Sequence, residues 1–182
     1  MHLRARDESG FGMLELLMAM VMLNVGILAI VAAFSSGNAA LSRANRISTA
    51  GALANKQLEI YRGLKYDNIV FKTSEWTAAK ADATYTADIA YTANMLNPVS
   101  PHGLVLDLAS CPTNAPVNAC DPSYTATGAD NRSYRVDTYL YYDKPNSFGS
   151  QLKTVTVVVR NPDDLTRTYE RATTTFDPAT GS

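Results

Sequence analysis

The feature that most constrains this chain is one apolar run, Phe11 to Phe34. At about 1.5 Å of rise per residue, its roughly 24 residues reach about 36 Å as a helix, enough to cross a hydrocarbon core of about 30 Å. An ordinary secretory signal has a shorter apolar core of about 7–15 residues, followed by a small-residue cleavage site. This run is longer, although the small residues of "SSGNAAL" beyond it keep a cleaved signal open as an alternative. Arg4 and Arg6 precede the run, and Arg43 and Arg46 are the nearest cations after it. The positive-inside rule then predicts a cytoplasmic N-terminus and everything beyond about residue 35 outside.

Two residues break the apolar character of the run. Glu15 lies about one turn inside it, and Asn24 lies near its middle. An ionised side chain at the centre of a membrane helix costs roughly 2.5–3.5 kcal/mol on insertion scales, and less near an end, where it snorkels. Glu15 is therefore either an interfacial residue reaching the headgroups or a functional carboxylate. Asn24 can hydrogen-bond across helices in a bundle or within its own helix.

The pattern changes after Phe34 without a helix breaker, since the first proline is Pro98. Leu41, Ala44, Ile47, Gly51, Ala54, Leu58 and Tyr61 recur every three or four residues, the spacing of one helix face. Gly63 is a suitable stop. One helix is expected from about residue 11 to about residue 62, roughly 75 Å long. Its first half would lie in lipid and its second half would be amphipathic.

Beyond Gly63 the periodicity shortens. "SYRVDTYLYYD" alternates Tyr134, Val136, Thr138, Leu140 and Tyr142 against Arg135, Asp137, Tyr139 and Tyr141. "LKTVTVVVRN" alternates Val155, Val157 and Val159 against Thr154, Thr156 and Val158. Both patterns predict strands, joined through the turn residues of "KPNSFGS". "RTYERATTTF" predicts a third strand after the "NPDD" turn, and "ATYTADIAYTA" is a further short strand candidate. No internal repeat is evident. The predicted class is α+β: a long N-terminal helix whose amphipathic half packs on the one face of an antiparallel sheet that needs covering.

Cys111 and Cys120 stand nine apart in a Pro- and Asn-rich loop. In an exported domain such a pair predicts a disulfide, and closing so short a loop contributes roughly 2.5–3 kcal/mol. The formal charge is -1, with 16 basic and 17 acidic residues, so nothing favours nucleic acid as a partner. His2 and His102 are the only histidines, which disfavours a multi-His metal centre. Asp121, Asp130, Asn131 and Asp137 could offer oxygens to calcium, but their spacing fits no loop template and turn chemistry accounts for them. The tyrosines at 134, 139, 141 and 142 are expected to pack across strands rather than form an adhesive surface. No nucleophile elbow, phosphate loop or zinc motif occurs, so neither an enzyme nor a cofactor is predicted.

The residues about Glu15 narrow the choice. A short polar leader with some positive charge ends at Gly10, the aromatic Phe11 follows, and Glu15 is fifth counting from Phe11. Here the chain resembles the type IV pilin superfamily in its prepilin signal. "ALANKQLEIYRGLKYDNI" and "KTVTVVVRNPD" are similar to helix-end and strand segments of its minor pilins and pseudopilins. The resemblance implies a leader at 1–10, cleavage between Gly10 and Phe11 by a prepilin peptidase, and N-methylation of Phe11 by the same membrane enzyme. It implies an assembly helix at 11–34, its continuation at 35–63, and a β-rich head at 64–182. Glu15 would pair with the new amino terminus of a neighbouring subunit and set the stagger between subunits. The implied partners are the peptidase and methyltransferase, other pilins or pseudopilins, an inner-membrane assembly platform and membrane lipid. The implied location is the inner membrane, with the head on the extracytoplasmic side, and then a pilus or pseudopilus. Gly12, Asp7, Glu8 and Asn24 depart from the usual pattern. The absence of proline in the membrane helix favours a minor pilin or pseudopilin over a major subunit. A membrane-tethered binding domain that never enters a filament is the alternative.

Overall fold

The computed structural model describes residues 12–95, 106–107, 111–112, 114–143 and 152–178. The leader, Gly10, Phe11, His102 and the 144–150 connection lie outside the described residues. The fold is α+β. Helix α1 runs Met13–Arg62. It closes as expected at Gly63, whose N–H donates to the Glu59 carbonyl at 3.0 Å. The chain forms two compact units, Met1–Ala44 and Asn45–Ser182.

In the second unit, a 3-10 turn at Tyr66–Asn68 leads to β1 (Phe71–Lys72), α2 (Thr73–Ala81), α3 (Ala83–Ala87) and α4 (Ile89–Met95). The short strand β2 (Leu106–Asp107) pairs in parallel with β1. Then come β3 (Ser123–Thr127), β4 (Ser133–Asp143), β5 (Leu152–Arg160) and β6 (Thr168–Phe176). These last four make an antiparallel sheet in sequence order. The three strands read from alternation are β4, β5 and β6. β-Branched and aromatic side chains at period two suit a pleated surface, which is why these segments were legible.

Register fixes what shares a face. Val136 lies opposite Val159, Thr138 opposite Val157, and Leu140 opposite Val155. This face joins the core with Ala50, Ala54, Leu58 and Tyr61 of α1. The helix stripe differs from the one expected. Leu41 and Ile47 are exposed, and the buried residues of α1 are Ala50, Ala54, Gln57, Leu58 and Tyr61. Gln57 is polar yet fully buried because both ends of its amide are used. Its Nε2 donates to the Asn118 carbonyl at 3.0 Å, and its Oε1 accepts from the Tyr124 hydroxyl at 2.9 Å. Alanines at 50 and 54 let the helix and sheet approach closely.

Two expectations are corrected. The segment "ATYTADIAYTA" is helical, forming α3 and most of α4, rather than a strand. In addition, the second face of the sheet is covered across β5 and the centre of β4, while β6 at the edge keeps Arg171, Thr173 and Thr175 exposed. Every residue of β5 from Lys153 to Arg160 is buried, where a half-exposed strand would alternate. The misread segment is part of the second cover: the Tyr85 ring stacks on Tyr139 with centroids 4.4 Å apart. The Tyr85 hydroxyl donates to the Thr138 carbonyl at 2.5 Å, and the Tyr139 hydroxyl donates to the Tyr85 carbonyl at 3.2 Å.

Candidate functional site

The first unit carries the membrane-length segment. Fifteen large apolar side chains between Met13 and Phe34 are each at least 51% exposed. So large a contiguous apolar surface requires a non-aqueous neighbour, lipid or other helices. The helix has a mean hydropathy of 2.5 over its most apolar 18-residue window, long and apolar enough to span a membrane. Glu15 sits in the first turn, and its N–H donates to the Gly12 carbonyl at 2.9 Å. By helical rise Glu15 lies about 29 Å from Phe34, close to the thickness of a hydrocarbon core, and Asn24 lies about halfway between. A carboxylate in the first turn complements the helix N-terminus electrostatically.

The head is organised by charge. Asp82 caps α3, accepting from the Thr84 N–H at 2.7 Å, and its other oxygen meets Arg135 Nη1 at 2.7 Å. Arg135 Nε donates to Asp137 Oδ1 at 2.8 Å, and Arg160 Nε donates to Asp137 Oδ2 at 2.9 Å. Arg160 also pairs with Asp88, which Arg171 grips with two bonds of 2.9 and 2.8 Å. Asp88 accepts from the Ala90 N–H at 2.7 Å as well, at the start of α4. The chain of contacts Asp82, Arg135, Asp137, Arg160, Asp88, Arg171 alternates in sign and sums to zero. It ties α3 and α4 to β4, β5 and β6. Burial pushes the Asp88 carboxyl up, but Arg171, the Ala90 N–H and Arg160 outweigh it and hold its pKa below the usual range. Asp82 follows the same logic, with Arg135 and the Thr84 N–H overcoming burial.

This ladder was missed in the sequence, although a signal existed. "DATYTA" at 82–87 and "DIAYTA" at 88–93 repeat at six residues, which corrects the expectation of no internal repeat. Each Asp caps a helical turn. The threonines, Thr86 and Thr92, bond back to the carbonyls of Asp82 and Asp88 at 3.0 and 3.2 Å. Each Tyr enters one aromatic cluster with Trp76, at centroid distances of 6.0 Å for both Tyr85 and Tyr91.

Cys111 and Cys120 form a disulfide with a Cα–Cα separation of 5.9 Å. The loop it closes is held to the helix through the Gln57–Asn118 bond, and to β1 through the Lys72 N–H on the Cys120 carbonyl at 3.2 Å. Two of the carboxylates considered for calcium are engaged elsewhere. Asp137 belongs to the ladder, and Asp130 accepts from the Tyr134 hydroxyl at 2.6 Å. Asn131 sits in the hairpin turn with φ 58°, and among the described residues no group of three His, Cys, Asp or Glu could hold a metal ion. Tyr134 and Tyr139 are core residues.

No protein-family model, no curated protein and no solved structure matches the chain.

Proposed function

We propose that this protein is a structural subunit, of minor pilin or pseudopilin kind, in a type IV pilus or a type II secretion-like filament. It is made with the leader 1–10, cleaved between Gly10 and Phe11, and methylated on Phe11. It then enters the filament through the N-terminal helix. The observation that carries this reading is helix α1: 50 residues long, exposed and apolar over its first half, with Glu15 in its first turn. Neither the Glu15 carboxylate nor a freshly cut amino terminus is comfortable in lipid alone, so each favours a neighbour of opposite charge. Buried pairs of this sort set register more than they add stability. The head, stapled by a disulfide and neutral in its buried charges, serves as the displayed and packing part rather than as an enzyme.

The test is the mass of the N-terminal peptide of the protein taken from its own membranes. A terminus at methylated Phe11 is expected. Glu15→Ala should leave that processing intact and lower incorporation into filaments about tenfold or more, the equivalent of ~1.4 kcal/mol. A retained Met1 would instead favour a tethered domain that never assembles. A terminus beyond Phe34 would mean an ordinary signal peptide.

A further inference from the structure

A cavity of about 260 Å³ in the head is lined chiefly by Arg46, Arg132, Tyr134, Asn161, Asp163 and Tyr169. We propose that this cavity binds a carboxylate, presented either by a free small molecule or by an acidic side chain of a second copy of the chain. The inference does not rest on the filament proposal, because every residue it uses lies within the compact head.

Arg46 is the central observation. The other arginines packed into the head, Arg135, Arg160 and Arg171, each have a carboxylate partner. Arg46 has none within ion-pair distance among the described residues. Its Nη1 donates to the neutral Tyr169 hydroxyl at 3.2 Å, and its Nε is buried without an acceptor. A guanidinium with five donors and so few acceptors is suited to an anion. Arg132, on the same cavity, is half exposed and only loosely held, 4.0 Å from an Asp130 that already accepts from Tyr134. The Tyr169 hydroxyl accepts from Arg46, so its own hydrogen is left to donate. The Asn161 side-chain oxygen accepts from the Asp163 N–H at 3.3 Å, which leaves the amide NH₂ for a ligand.

Charge selects the class of anion. Two arginines face Asp163 on the lining and Asp130 beside Arg132, so the site has no surplus positive charge to hold a dianion. A monoanionic carboxylate is the anion it can take, whereas a dianionic phosphate would be repelled by both aspartates. Shape points the same way. Tyr134 and Tyr169 meet edge to face with centroids 5.8 Å apart and form an aromatic wall. The volume is several times the roughly 30 Å³ share of one water, so the site takes the carboxylate together with a short apolar body.

The experiment uses the full chain, isotope-labelled, in detergent micelles. The side-chain Nε–H signal of Arg46, assigned by its loss in Arg46→Lys, is followed while acetate, benzoate, inorganic phosphate or chloride is added at constant ionic strength. A saturable shift with acetate and tighter binding of benzoate are expected. Arg132→Gln should weaken both about tenfold, with Trp76 fluorescence unchanged as evidence that the head is folded. If the same shift grows with protein concentration alone and acetate reverses it, the source is an acidic side chain of a second copy. If it appears only with added carboxylate, the ligand is a free molecule. No saturable shift with either carboxylate, or an equal response to phosphate or chloride, overturns the proposal. Because the readout needs neither cleavage nor assembly, its failure is separate from failure of the filament reading.

Discussion

Remove Asp137 from the ladder and two arginines lose their shared anion. Asp137 is fully buried and accepts from Ser123 at 2.7 Å, Arg135 at 2.8 Å and Arg160 at 2.9 Å. A charge pair about 4 Å apart at an effective dielectric near 20 is worth about 4 kcal/mol. Part of that is offset by the carboxylate's own desolvation, so Asp137→Asn is expected to cost about 3–5 kcal/mol. Arg160→Met should cost a similar amount, because it takes one of two arginine partners from each of the buried carboxylates Asp137 and Asp88. The double variant is the discriminating one. Without both residues, Arg135 still has Asp82 and Asp88 still has Arg171, two neutral pairs with their observed geometry. The double variant should therefore cost no more than either single change, falling roughly 2–3 kcal/mol or more short of the sum. Urea titration followed by fluorescence reads this directly, since Trp76 is the only tryptophan and lies in the aromatic cluster of the head. Costs that add to within about 0.5 kcal/mol would refute the ladder as one charge-balanced unit.

Two further outcomes are expected. Burial lowers the Lys153 pKa to about 8 from its ordinary 10.5, with Asp67 partly opposing. Between those values the unfolded chain holds a proton that the folded chain has released, so stability rises with pH by up to roughly 3 kcal/mol. Lys153→Met should lack that rise between about pH 8 and pH 10; the opposing effect of the buried tyrosines as pH nears 10 is common to both proteins and cancels in the comparison, and an equal dependence of urea-derived stability on pH in the two proteins would sink the assignment. Gly128→Ala should destabilise the head by about 1–3 kcal/mol. A Cβ there would overlap Thr49 Cγ2 and come within 2.8 Å of both Asp130 and the Tyr134 ring; a melting temperature equal to wild type would show that the hairpin and helix have room to part.

Much of this protein follows from local pattern alone. A long apolar run with no proline dictates a long helix, and a stop at Gly63 follows from glycine's tolerance of helix ends. Alternation in β4 and β5 dictates strands, and two cysteines nine apart in a Pro- and Asn-rich loop point to a bridge. The position of Glu15 relative to Gly10 and Phe11 is likewise a property of sequence. The tertiary structure decided what covers the second face of the sheet. "ATYTADIAYTA" is short and rich in Ala, Thr and Tyr, so its period is ambiguous. It becomes helix because Asp82 and Asp88 cap its turns and pair with arginines more than 40 residues away. Once that cover is in place, Arg135, Asp137 and Arg160 no longer read as the solvent side of a strand. They are buried charges that must neutralise one another, a requirement that arises only when distant elements exclude water together. Gln57 is buried for the same reason: its partners at Asn118 and Tyr124 are supplied by folding rather than by neighbours in the chain.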